Sequence, residues 1–97
     1  MTSLERISNW YLSQCNGDWE HSFGVEIQTL DNPGWFVKID LAETELEEKL
    51  FSALVEGDSA SGPHWINCKV ESKQFLGAGG AGDLERLLDV FLSWSED

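Results

Sequence analysis

Thr29-Leu30-Asp31-Asn32-Pro33-Gly34-Trp35 lies between two runs of alternating apolar and polar residues, and its reading decides the fold. Proline holds φ for the first central position of a turn and glycine reaches the positive φ required at the second, so Asn32–Trp35 reads as a type II turn. Before it, Phe23, Val25, Ile27 and Thr29 alternate with Gly24, Glu26 and Gln28; after it, Trp35, Val37, Ile39 and Leu41 alternate with Phe36, Lys38 and Asp40. The expectation is an antiparallel hairpin with one buried face that carries Val25, Ile27, Val37 and Ile39. Both apolar sets occupy odd positions, so facing residues must share parity. A loop of three residues, Asn32 to Gly34, or of five satisfies that condition.

Upstream, Leu4, Ile7, Trp10 and Tyr11 recur at helical spacing behind Ser3 or Thr2 as cap, with Arg6 where a capping box would place Glu or Gln. Asn16-Gly17-Asp18 ends that helix, and Gly17 suits a left-handed cap. Downstream, helix propensity favours a helical turn over Ala42–Lys49, Leu50–Val55 reads as a third strand and residues 56–63 as a loop. Trp65–Glu71 is a fourth strand with Ile66, Cys68 and Val70 on one face; Ser72-Lys73 connects it tightly to a short fifth, Gln74–Leu76. Gly77–Gly82 leads to Asp83 as helix cap, and Leu84, Leu87, Leu88, Phe91 and Trp94 trace the buried stripe of a last helix. The fold class is α+β: an N-terminal helix, an antiparallel meander of about four to five strands, and a C-terminal helix packed on the sheet, in one domain over residues 1–97.

Hydrophobic residues make up 41% of the chain, enough for a core and against disorder. Apolar runs stay far below the roughly 18 residues of a membrane helix, and no basic segment precedes an apolar stretch at the N-terminus, so the chain reads as cytoplasmic. Eighteen acids against six basic residues give a net charge of −12, which argues against nucleic acid as a direct ligand and fits a basic surface on another protein. Seven acids crowd Asp40–Asp58 against Lys49 alone: Asp40, Glu43, Glu45, Glu47, Glu48, Glu56 and Asp58. The last six are the candidate partner-binding residues; the plain alternative is a solvated face. Cys15 and Cys68 read as small buried hydrophobes, with a disulfide as the minor alternative. Trp35 and Trp65 read as core, more so than Trp19, which precedes the hairpin.

Three constellations suggest other chemistry. Gly77-Ala78-Gly79-Gly80-Ala81-Gly82 has dinucleotide-fingerprint spacing between a strand and a helix. No parallel strand or acidic ribose ligand follows, and Asp83 would oppose a phosphate, so a flexible or tightly turned connection with positive-φ glycines is the preferred reading. Cys15, His21, His64 and Cys68 supply zinc-ligand types, but without the close cysteine pair of zinc fingers. His21 with Glu20 and Asp18 offers acid–base groups without a nucleophile beside them. The expectation is no catalytic residue, no metal and no cofactor.

Trp10-Tyr11, Gly17-Asp18-Trp19-Glu20-His21, Gly24-Val25, the hairpin turn, Ile39-Asp40-Leu41, Thr44-Glu45-Leu46, Gly77-Ala78-Gly79-Gly80 and Leu84 through Trp94 occur in this order along almost the whole chain. Together they resemble the immunity protein 53 family, small bacterial domains found beside toxins of polymorphic toxin systems. The resemblance implies a non-enzymatic protein that binds a cognate toxin domain and occludes its active site, with the toxin as partner; charge and the short apolar runs add that neither nucleic acid nor membrane is contacted directly. A nuclease with a basic cleft is the toxin class the acidity suits. The alternative from another class is a small ligand- or nucleotide-binding domain, or an enzyme, using the Gly77–Gly82 loop.

Overall fold

A computed structural model describes residues 1–58 and 62–97; the middle of the expected 56–63 loop lies outside the described residues. Helix α1 (Ser3–Gln14) and a four-residue helix α2 (Trp19–Ser22) precede β1 (Val25–Leu30) and β2 (Gly34–Asp40). Strands β3 (Leu54–Glu56), β4 (Ile66–Glu71) and β5 (Gln74–Gly79) follow, and α3 (Leu84–Glu96) ends the series. The five strands pair antiparallel in the order β1-β2-β5-β4-β3, and α3 packs on β5, β4 and β2. The α+β class, with helices on one face of an antiparallel sheet, is as the sequence predicts.

Thr2, not Ser3, caps α1. Its hydroxyl accepts from the Glu5 amide at 3.1 Å while the Glu5 carboxylate accepts from the Thr2 amide at 3.1 Å, a complete capping box that the placement of Arg6 had hidden. The hydrogen bond from the Thr2 amide also lowers the Glu5 pKa. Ile7 and Trp10 point inward, whereas Leu4 and Tyr11 are exposed.

The hairpin register pairs Val25 with Ile39, Ile27 with Val37 and Leu30 with Gly34, leaving a three-residue loop, Asp31 to Pro33. Parity holds, but the type II turn is overturned. The Asn32–Pro33 peptide is cis, Gly34 is the first residue of β2, and its φ is not positive. Glycine is needed there for a different reason: a Cβ at Gly34 would run into the carbonyl oxygen of Gly79 on β5. The buried-face expectation is met on β2, where Val37 and Ile39 are fully buried, and corrected on β1. Val25 is half-buried and Ile27 is 40% exposed, because β1 is the edge strand and α3 lies over β2, β5 and β4.

Residues 41–53 cross from β2 to the far edge of the sheet as a strap of turns, not as a helical turn and a six-residue strand. Amides of Thr44, Glu47 and Lys49 each bond the carbonyl three residues back, and the Thr44 hydroxyl donates to the Leu41 carbonyl at 2.7 Å. Lys49 then donates to the Trp94 and Asp97 carbonyls, and Trp94 Nε1 to the Leu50 carbonyl at 2.8 Å. These bonds tie the strap to the end of α3, so pairing with β4 begins only at Leu54.

The glycine-rich segment is also corrected. β5 runs on through Gly79, and no glycine from 77 to 82 has positive φ. Gly77 and Gly79 face the helix layer: Cβ atoms there would lie 3.3 and 3.2 Å from Leu87 side-chain carbons. At Gly80 a Cβ would collide with the Pro63 carbonyl. Missing side chains let α3 sit close on the sheet. Asp83 is the N-cap residue of α3 by position, yet its side chain makes no cap bond.

The core joins Ile7, Trp10, Trp19, Val37, Ile39, Leu41, Leu46, Ile66, Cys68 and Phe75 to Leu87, Leu88, Phe91 and Leu92. Phe91 is its hub, edge-on to Trp10 at 5.0 Å and to Phe75 at 5.3 Å. The ranking of tryptophans reverses: Trp19 is 2% exposed, with Nε1 donating to the Ala42 carbonyl, while Trp35 and Trp65 are only half-buried. The unforeseen α2 turns Trp19 inward under α1.

Candidate functional site

The sheet separates the acidic block into two groups. Asp40 and the strap lie at the end of the sheet that carries the Ser72-Lys73 turn, since Asp40 faces Gln74 and the Leu41 amide donates to the Lys73 carbonyl. β3 then climbs to the opposite end, where Glu56 faces Ile66 and Gly57 lies against the His64 carbonyl. A six-residue strand spans ~20 Å, so Glu43, Glu45, Glu47 and Glu48 are about that far from Glu56 and Asp58.

Within the strap the acids differ in what they do. Glu45 accepts from Trp10 Nε1 at 3.2 Å and from Gln14 Nε2 at 3.1 and 3.0 Å, fastening the strap to α1. Glu47 accepts from the Glu43 amide at 3.2 Å and pairs with Lys73 at 3.3 Å. The bond from the Glu43 amide, then that from Lys73, lowers the Glu47 pKa and keeps it charged. Glu43 has φ 62°, a left-handed conformation that turns the chain and leaves its side chain exposed. Glu48 is likewise exposed. Two carboxylates thus brace the strap, and two stand in solvent beside them.

At the other end Glu56 pairs with Arg86 of α3. Next to this pair, Asp83 is 2% exposed: one carboxylate oxygen accepts the Trp65 amide at 2.9 Å and the other lies 3.1 Å from His64 Nδ1. This buried carboxylate holds the chain entering β4 against the start of α3, in place of the helix-capping bond expected of Asp83. Its signal would have been the fit of small Gly80 and Gly82 around the Pro63-His64 segment.

The metal-type residues sit in separate settings. Cys68 is fully buried in β4, which pushes its thiol up to about 11, while Cys15 Sγ contacts the Tyr11 carbonyl. His21 is exposed on α2 and His64 pairs with Asp83. Among the described residues no three His, Cys, Asp or Glu converge to hold an ion. Glu20, the acid–base candidate beside His21, has both oxygens taken by the amides of Asn16 and Gly17 at 3.0 and 2.8 Å. That carboxylate staples the α1–α2 turn. Among the described residues no helix is long and apolar enough to cross a membrane.

No curated protein and no solved structure matches the chain. A sequence profile does, over residues 4–96, taking in all five strands and ending with the last residue of α3. With a match of that extent, the chain belongs to the immunity protein 53 family.

Proposed function

We propose that this chain is a cytoplasmic immunity protein of a bacterial polymorphic toxin system, acting as one domain that binds its cognate toxin domain and occludes the active site or the substrate path. The observation that carries the reading is the family match over residues 4–96. Charge supports a partner with a basic cleft, a nuclease above all, because a net charge of −12 steers association with such a surface and opposes direct contact with nucleic acid. Occlusion requires no chemistry from the immunity protein, and the role of Glu20 in stapling a turn suits a non-enzymatic chain.

The proposed contact is the strap end. Glu43 and Glu48 reach solvent there, on a backbone that Glu45 and Glu47 hold to α1 and to the β4–β5 turn. Such bracing lowers the ordering cost of binding. Glu56 and Asp58 contribute if the partner extends along β3. Co-expression with the toxin encoded beside this gene tests the function: growth is restored by this protein, and continued killing would remove the assignment.

A further inference from the structure

The two edges of the sheet are built differently. At one edge, β3 has three residues and gives way to Gly57, which is short enough to refuse another strand. At the other, β1 has six residues in regular register with β2, and its sequence Val-Glu-Ile-Gln-Thr-Leu contains no proline, lysine or bulge to blunt it. The Asp40 amide donates to the Gly24 carbonyl, so residues 24, 26, 28 and 30 direct their backbone groups to β2. By alternation, the N–H and C=O of Val25, Ile27 and Thr29 face out of the sheet. The side chain of Ile27, on the helix-side face, is 40% exposed beside them.

We propose that β1 pairs antiparallel with β1 of a second copy of this chain, joining two sheets across a two-fold axis at Ile27. The strand is complementary to itself in that register. Ile27 meets Ile27 of the second copy in a hydrogen-bonded pair, Val25 meets Thr29, and Glu26 meets Gln28, whose amide can donate to it. A two-residue slip one way sets Glu26 against Glu26, a like-charge pair that destabilises a sheet. The only charge on β1 is compensated within its own chain, since Lys38 bonds Glu26 at 2.8 Å. An isologous pairing of this kind closes on itself, and the short β3 edge prevents growth into a fibre. The inference is independent of the toxin assignment and stands on the sheet edge alone.

Two copies at −12 repel over distance, so the dimer tightens as salt rises, opposite to an association steered by unlike charges. Sedimentation equilibrium on the full chain, up to about 1 mM to register even millimolar dissociation constants, is the test. The expected result is twice the chain mass, with more dimer at high salt. Ile27→Pro removes an outward-facing N–H without touching the β1–β2 ladder and should give a folded monomer by circular dichroism. Gln28→Glu, on the exposed face, should weaken the dimer roughly three- to tenfold by placing like charges opposite each other at two symmetric positions, and it decides the matter should the proline variant fail to fold. A wild-type monomer at the highest concentration, or a dimer indifferent to Gln28→Glu, would overturn the proposal.

Discussion

The sheet has a covered half and a bare edge, and they are made from sequence of the same kind. β2 and β1 both alternate apolar and polar residues, yet Val37 is fully buried while its partner Ile27 is 40% exposed. The difference comes from the helix layer: α3 lies over β2, β5 and β4, drawn close by Gly77 and Gly79. Stability should therefore concentrate beneath α3, with less of it resting on the β1 edge.

The largest effect expected from that contrast is at Phe91. Phe91→Ala leaves a cavity among Trp10, Phe75 and Trp94 and should cost ~3–5 kcal/mol, a large part of the stability of a small domain. Ile27→Ala on the edge should cost under about 1 kcal/mol by comparison. Equal losses in urea denaturation would break the division into covered and bare halves. Next come the glycines. Gly79→Ala puts a Cβ 3.1 Å from the Trp65 carbonyl oxygen and 3.2 Å from Leu87, which should cost ~1–3 kcal/mol, whereas Gly24→Ala, with nothing within 4 Å, should be neutral or slightly stabilising. A tolerated Gly79→Ala would mean that α3 can rise off the sheet. Thr2→Ala, which removes the hydroxyl half of the capping box, should cost about 1 kcal/mol in the same assay.

The smallest expected effect is a pH dependence outside the core. Bonds from its own backbone amide and from those of Asn16 and Gly17 hold Glu20 below its ordinary 4.5. A carboxyl depressed in the folded state adds stability that is complete above the unfolded value and disappears as pH falls through the folded one. The Tm advantage of the wild type over Glu20→Gln should therefore be constant above pH 4.5 and shrink below it. An advantage that grows on acidification would reverse the assignment.

Much of this was legible in the sequence, for identifiable reasons. Alternation at positions 23–41 gave the hairpin and its parity, and the stripe from Leu84 to Trp94 gave α3. What escaped was set by contacts between distant residues. Pro33-Gly34 carries a turn signature, but Gly34 answers to the Gly79 carbonyl across the sheet. Leu50–Val55 has strand propensity, but Lys49 and Leu50 are bound to the end of α3. Gly77–Gly82 has loop composition, but Leu87 requires a flat strand beneath it. At the candidate site, the acids are contiguous enough in sequence to look like one face, and only the course of β3 shows that they occupy opposite ends of the sheet.

What most directly tests the proposed strap-end contact is the association rate of the purified protein with the toxin domain it is found to neutralise, measured at low and high salt for the wild type and for Glu43→Lys/Glu48→Lys. Both substituted side chains are exposed, so the free energy of unfolding should stay within about 1 kcal/mol of the wild-type value. The expected result is binding by the wild type, an on-rate that falls as salt rises, and a roughly tenfold or greater fall in on-rate for the double variant. No binding by the wild type, or an on-rate unmoved by both salt and charge reversal, would contradict it.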